Sequence, residues 1–402
     1  MLLVISMKYE ISKMDNMGRG ITYIDGVITF VPKTILGDVV ELEITKQKKK
    51  FNEAKVVNYI KRGSLYKEAI CPYYNKCGGC DLMNYKYATQ LSYKSGRIKD
   101  LFLKFAKEKV NPIVISKNQL CYRNKVTLQI VNGVIGLVDL DYQVINIKYC
   151  NIIKDSINNF IKELPNFKVK NGKVVIRTNY NDELLIWFIT KDDLVIPNLK
   201  EYKIAGIIKN NQVVVGDNNF IDKINNLYFK VSYDSFFQVN SLVNEELVNI
   251  VNENLSSNDT LLDLYCGVGT LSINASLKAK EVIGIEIVKN AIVDATINKQ
   301  MNKRDNVDFL LGDVKTTINK VDKEFDVVII DPPRSGIDKS SLDYILDKKI
   351  KKIIYIACDP TSLARDYETI KGVYNLKKLY LLDMFPNTYH CESVCILERK
   401  DR

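Results

Sequence analysis

Cysteine is a strong nucleophile once ionised, and one cysteine of this chain sits where an apolar run stops. Lys351-Lys-Ile-Ile-Tyr-Ile-Ala-Cys358 is followed at once by Asp359-Pro360. A run broken in this way predicts a buried strand that delivers Cys358 to the open end of a sheet. The bland alternative is an inert core thiol, since free cysteine is among the most buried residue types. Cys391 and Cys395 are further thiols, but neither stands at an Asp-Pro exit. A second group is Cys71-Pro-Tyr-Tyr-Asn-Lys-Cys77-Gly-Gly-Cys80, with spacing C-x5-C-x2-C. A core would not concentrate three thiols in a Pro/Gly/Asn loop, so this spacing predicts a metal centre. It needs a fourth ligand, for which Cys150 is the natural candidate and Cys121 the other. Four thiolates suit tetrahedral zinc or an iron–sulfur cluster, and spacing does not choose between them.

From Asp259 onward apolar runs alternate with helical stretches. Thr260-Leu-Leu-Asp-Leu264 leads into Tyr265-Cys-Gly-Val-Gly-Thr-Leu271, where Gly267 and Gly269 let backbone approach a ligand closely. Glu286 ends the second run, where a carboxylate would grip a ribose diol. Asp313 ends the third, where it would accept from an adenine amine. No phosphate-specific feature accompanies them, so S-adenosylmethionine fits better than a nicotinamide dinucleotide. The alternative for Glu286 and Asp313 is a pair of solvated strand ends. Asp331-Pro-Pro-Arg334 ends the fourth run and Cys358 the fifth, a pairing that points to carbon as the methyl acceptor. The C5 of uracil is too weak a nucleophile to attack a sulfonium methyl unaided. A thiolate adding to C6 would activate it, Asp331 could orient the ring through N3–H, and a base must then remove the C5 proton. The single histidine, His390, rules out a two-histidine metal site and leaves that base to a carboxylate. Glu392 is the candidate; its alternative is an ordinary exposed glutamate.

These groups need a frame. At 402 residues the chain exceeds one usual hydrophobic core, which predicts two or three domains. Residues 7–60 form short glycine-punctuated strands that suggest a small β-barrel, with the basic run Lys46-Gln-Lys-Lys-Lys50 in a loop. Tyr85 to Lys109 has helical periodicity, with Lys94, Arg97, Lys99 and Lys104 on the polar side. Residues 110–230 alternate as a sheet-rich region, and the last part reads as a parallel, doubly wound α/β sheet. The boundaries expected are 1–62, 63–232 and 233–402. Lys and Arg total 58 against 48 Asp and Glu, a mild positive field that suits an RNA partner. No signal-like N-terminus and no long apolar run stand out, so a cytoplasmic protein with reduced cysteines is expected.

Taken together these residues resemble the RNA uracil-5-methyltransferase family, in the branch with an N-terminal TRAM-type, OB-like barrel and a [4Fe–4S] cluster. The resemblance rests on the cluster cysteines, Phe236-Phe-Gln-Val-Asn240, Asp263-Leu-Tyr-Cys-Gly-Val-Gly269, Asp331-Pro-Pro-Arg334, Cys358-Asp-Pro360 and His390-x-Glu392. It implies a Rossmann-like methyltransferase domain, a TRAM-like barrel and a β-rich central iron–sulfur domain. It implies Cys358 as nucleophile, Glu392 as base, and Cys71, Cys77, Cys80 and Cys150 as cluster ligands. It also implies that Gln238, Tyr265, Thr270, Glu286, Asp313 and Asp331 line the cofactor and base pocket. Thr270 stands where some relatives carry asparagine, and Cys391 where an apolar residue is usual. Relatives with both barrel and cluster act on large-subunit ribosomal RNA, so a monomer acting on 23S rRNA is the expectation, with tRNA second. Two rivals are a cytosine-5 methyltransferase, opposed by Arg334 where such RNA enzymes carry cysteine, and a non-enzymatic RNA-binding iron–sulfur protein.

Overall fold

The computed structural model describes residues 7–400. Its C-terminal layer is an eight-stranded sheet in the order Val307–Leu311, Glu281–Glu286, Thr260–Leu264, Val327–Ile330, Lys352–Ala357, Glu392–Arg399, Tyr374–Leu382, Ile113–Ile115. The first five strands are parallel, and Glu392–Arg399 runs antiparallel to both its neighbours. The central strands are apolar on both faces because helices cover both. Leu261, Ile329 and Ile354 pack with Val243 and Leu247 of helix Ser241–Glu253. Leu262, Val328 and Ile353 face the opposite way, toward Ile98 and Phe102 of helix Tyr87–Phe105 and Leu363 of helix Pro360–Ile370. Adjacent residues therefore point to opposite layers, as a pleated strand requires.

Two upstream elements join this layer. Helix Tyr87–Phe105 lies where its periodicity predicts, but its buried face is Gln90, Lys94, Ile98, Leu101 and Phe102. Lys94 belongs to the apolar stripe by spacing and is fully buried, not on the polar side. Strand Ile113–Ile115 pairs in parallel with Tyr374–Leu382 instead of joining the sheet that follows it in sequence.

The central region is a seven-stranded sheet in the order Val144–Asn146, Val134–Val138, Lys125–Val131, Gly172–Thr178, Leu184–Ile189, Ile204–Lys209, Gln212–Gly216. Phe160, Phe167 and Phe188 fill its core. The hairpin Asn219–Ile224 with Leu227–Ser232 leads into the C-terminal layer.

The N-terminal strands form a strongly curled six-stranded sheet. Its Gly20–Ile24/Val27–Val31 hairpin turns at Asp25 and Gly26, both at positive φ (49° and 77°), as a two-residue primed turn needs. Of the Lys46–Lys50 run, Lys48, Lys49 and Lys50 lie in the loop between Val39–Gln47 and Asn52–Lys61, while Lys46 and Gln47 still belong to the first strand. Among the described residues no helix is long and apolar enough to cross a membrane.

Candidate active site

The open edge of the parallel sheet collects the loops after each strand. After Thr260–Leu264 the chain turns through Tyr265, Gly267 and Gly269 at φ 65°, 56° and 82°. A Cβ on Gly269 would lie 2.7 Å from the Phe309 ring, so no larger residue fits there. Glu286 is held by this loop: its carboxylate accepts from the N–H of Gly267 at 3.1 Å and of Val288 at 2.8 Å. Below the loop, Asp263 is fully buried and accepts from the Ser272 hydroxyl, while its Oδ1 has no partner among the described residues. Burial pushes its carboxyl up to about 7. An unpaired buried acceptor costs free energy unless a bound donor reaches it, which fits an amine-bearing ligand such as S-adenosylmethionine.

Tyr265 and Asp313 line one cavity of about 520 Å³ with Ile287, Pro333 and Asp338. The Tyr265 hydroxyl is 3.3 Å from Asp338, a partner the sequence did not reveal. Asp313 is also a helix cap, accepting from the Lys315 N–H at 3.0 Å. Thr270 opens the short helix Thr270–Ala275. Gln238 lies two residues before the cap of helix Ser241–Glu253, its carbonyl accepting from Asn124 at 3.1 Å.

Cys358 directly follows strand Lys352–Ala357 and is half-buried. The Asp-Pro that ends the strand also starts a helix: Asp359 caps it through the Thr361 N–H, and Pro360 occupies its first turn. Ala357 pairs with Ser393 in the antiparallel register, so Cys358 and Glu392 stand at the next opposed position. Opposed residues in such a ladder lie about 4.5–5.5 Å apart at Cα. Glu392 is only 3% exposed, against its reading as an ordinary surface glutamate. Burial, then the nearby Asp331 charge, raises its carboxyl well above the usual range, and Arg334 opposes this. Burial, then Glu392, pushes the Cys358 thiol up to about 11. Burial likewise takes Asp331 to about 7. Cys391 and Cys395, the alternative thiols, are wholly buried in the core.

Cys358 opens onto a cavity of about 390 Å³ lined also by Arg123, Arg334, Phe385, His390 and Cys150. Burial and the Arg334, Lys94, Arg97 and Arg123 cations hold His390 down to about 4, so it is neutral at pH 7. Arg123 and Phe385 belong to this cavity, yet nothing in their local sequence marks them.

Cys71, Cys77, Cys80 and Cys150 all face one small cavity of about 40 Å³. Cys121 is instead exposed, 4.0 Å from the Tyr149 hydroxyl. Among the described residues, no group of three His, Cys, Asp or Glu side chains is placed to hold a metal ion. Lys33, from the curled sheet, is buried against this loop and donates to the carbonyls of Cys77 (2.9 Å) and Cys80.

A family model described as tRNA (Uracil-5-)-methyltransferase matches residues 195–400. An uncharacterized RNA methyltransferase of Clostridium tetani is 33% identical, with 96% of this chain and 95% of that protein covered. Another, from Caldanaerobacter subterraneus subsp. tengcongensis, is 34% identical over 97% of this chain and 98% of its own length. The crystal structure of Pyrococcus abyssi tRNA (uracil-54, C5)-methyltransferase in complex with S-adenosyl-L-homocysteine superposes with a TM-score of 0.81. It covers 97% of this chain and 100% of that one at 24% identity, a likeness of fold. The chain belongs to the RNA uracil-5-methyltransferase family and is an S-adenosylmethionine-dependent RNA (uracil-5-)-methyltransferase.

Proposed function

We propose that the chain methylates C5 of a uridine in 23S rRNA through a covalent Cys358–C6 adduct, with Glu392 as the base that resolves it. The observation that carries this reading is the opposition of Cys358 and Glu392 across neighbouring strands, beside a cavity that reaches the surface. Asp331 would accept from uracil N3–H and align the ring. The Cys358 thiolate adds to C6, and the C5=C6 π pair moves toward the C4 carbonyl. S-adenosylmethionine supplies the electrophilic methyl group that C5 then takes. Glu392 accepts the C5 proton, the double bond reforms, and the C6–S bond breaks to return the thiolate. Gln238, Tyr265, Thr270, Glu286 and Asp313 would hold the methyl donor around the glycine loop. The target base must leave its stack to reach the thiol. The curled sheet, read as a TRAM-type barrel, would grip flanking RNA through charge and stacking.

The rRNA assignment rests on the combination of curled sheet and cysteine loop. The tRNA reading is favoured by the substrate of the Pyrococcus enzyme. Mapping 5-methyluridine in a strain lacking this protein separates them. Loss from 23S rRNA alone is expected, and loss from tRNA alone would transfer the assignment.

The cysteine loop is proposed to hold a [4Fe–4S] cluster. An all-thiolate donor set is what such a cluster takes. The four thiols line one cavity, and the resemblance, not their spacing, favours a cluster over zinc. Burial raises the Cys71 and Cys80 thiols, and the Lys33 cation beside them opposes that rise. An anaerobic preparation should be brown with a visible iron–sulfur band that Cys77→Ala removes. A colourless, zinc-loaded protein would refute the cluster.

A further inference from the structure

The loop 383–391 joins strand Tyr374–Leu382 to Glu392–Arg399, and the register pairs Leu382 with Glu392. Asp383 therefore sits at the neck of the loop, one residue past the partner of Glu392. Its carboxylate is completely buried and meets an equally buried Lys94 at 2.5 Å. Tyr87 donates to the same carboxylate at 2.6 Å, and Lys94 also donates to the Phe385 carbonyl at 3.0 Å. One turn earlier on the same helix, Gln90 exchanges two hydrogen bonds with Asn387, at 2.9 and 3.2 Å. Phe385 and His390 of this loop line the cavity in front of Cys358.

One helix braces both groups through different residues: Arg97 meets Asp359, the residue after Cys358, at 3.4 Å, while Gln90 and Lys94 hold the loop that leads to Glu392. Cys358 is fixed by its own strand and the capped helix that follows. The neck of the loop that leads to the Glu392 strand is fixed by Lys94, 289 residues before Asp383. A buried ion pair is seldom the cheapest way to hold a core together, since well-packed apolar residues often serve as well. Its fixed directions define one geometry for the groups it binds.

We infer that Lys94 and Asp383 are positioning residues for the resolving base, setting where Glu392 stands relative to the target C5 and leaving formation of the Cys358 adduct untouched. The inference rests on Glu392 being the base. Breaking one partner strands a buried charge and threatens folding, so the informative variant removes both: Lys94→Met with Asp383→Leu. It should melt close to wild type and capture 5-fluorouracil RNA at the normal rate. On ordinary RNA its turnover should fall about ten-fold or more, an increase in barrier of roughly 1.4 kcal/mol. A denaturation-resistant protein–RNA species should accumulate while KM stays near wild type. Tyr87→Phe, which removes one hydrogen bond and no charge, should show the same accumulation in smaller measure, and serves if the double variant does not fold. Normal turnover in the folded variants overturns the inference, and so does equal loss of capture and turnover. Glu392→Gln in parallel keeps the two ideas apart: if it accumulates no adduct, the base assignment has failed, whatever the latch does.

Discussion

Replacing Cys358 by alanine should abolish methyl transfer, by roughly four orders of magnitude or more, because loss of a covalent nucleophile leaves only binding and orientation. It should also abolish covalent capture of 5-fluorouracil-substituted RNA. Fluorine at C5 cannot leave as a proton does, so the wild-type adduct formed after methyl transfer has no route to resolution and survives a denaturing gel. Alanine extends the buried Ile356-Ala357 end of the strand and should change stability by less than about 1 kcal/mol. Loss of fold would therefore not explain the result. Equal capture by the variant, or none by the wild type, would sink the covalent mechanism. The thiol's own environment adds a pH dependence. Burial and Glu392 push it up to about 11, so the reactive thiolate is scarce at neutral pH. Its fraction grows about ten-fold per pH unit below that value. Capture by the free enzyme should therefore accelerate as pH rises through the alkaline range.

How much of this was legible in the sequence depended on how far apart the cooperating residues lie. The strand before Cys358 and the Asp-Pro after it are local, and both were readable; the dual use of Asp359-Pro360 as helix cap and first turn follows from the same two residues. That these strands run parallel followed from their alternation with helices; their order in the sheet did not. Lys94 was misplaced because a lysine at a helical i+4 position normally faces water, and only Asp383, 289 residues later, makes its burial tolerable. Strand Ile113–Ile115 is only three residues long, too short for any periodicity to show which sheet it joins. Arg123 and Phe385 reach the thiol cavity through tertiary packing alone. The spacing of the cysteine loop reads as a metal motif, yet among the described residues no group of three His, Cys, Asp or Glu is placed to hold a metal ion. That Cys150 and not Cys121 faces the same cavity as the loop thiols is a matter of which one the chain turns inward.

Glu392→Gln should stop the reaction at a different point from Cys358→Ala. Glutamine keeps the shape and hydrogen bonding of the side chain but cannot accept the C5 proton. Adduct formation and methyl transfer should proceed, and the covalent, already methylated RNA should persist on ordinary uridine, with turnover reduced by about 10²–10⁴-fold. A gel-stable band with unsubstituted RNA, carrying the added methyl by mass spectrometry, is the expected signature. If turnover is lost without any such band, Glu392 acts before the thiol adds, as the group that takes its proton, and the order of steps given above is wrong. Once ionised, Glu392 is the largest charge raising the Cys358 thiol after burial, so in the glutamine variant the first step should quicken slightly relative to wild type at alkaline pH. Stability supplies an independent check. A carboxyl raised in the fold favours the native state while protonated, and that contribution is lost as pH climbs from its unfolded value through its folded one. Glutamine never ionises, so the variant should lose less stability than the wild type between mildly acidic and alkaline pH. A parallel fall in the two melting curves would mean that Glu392 binds its proton alike in the folded and unfolded chain, so that its carboxyl is not raised in the fold.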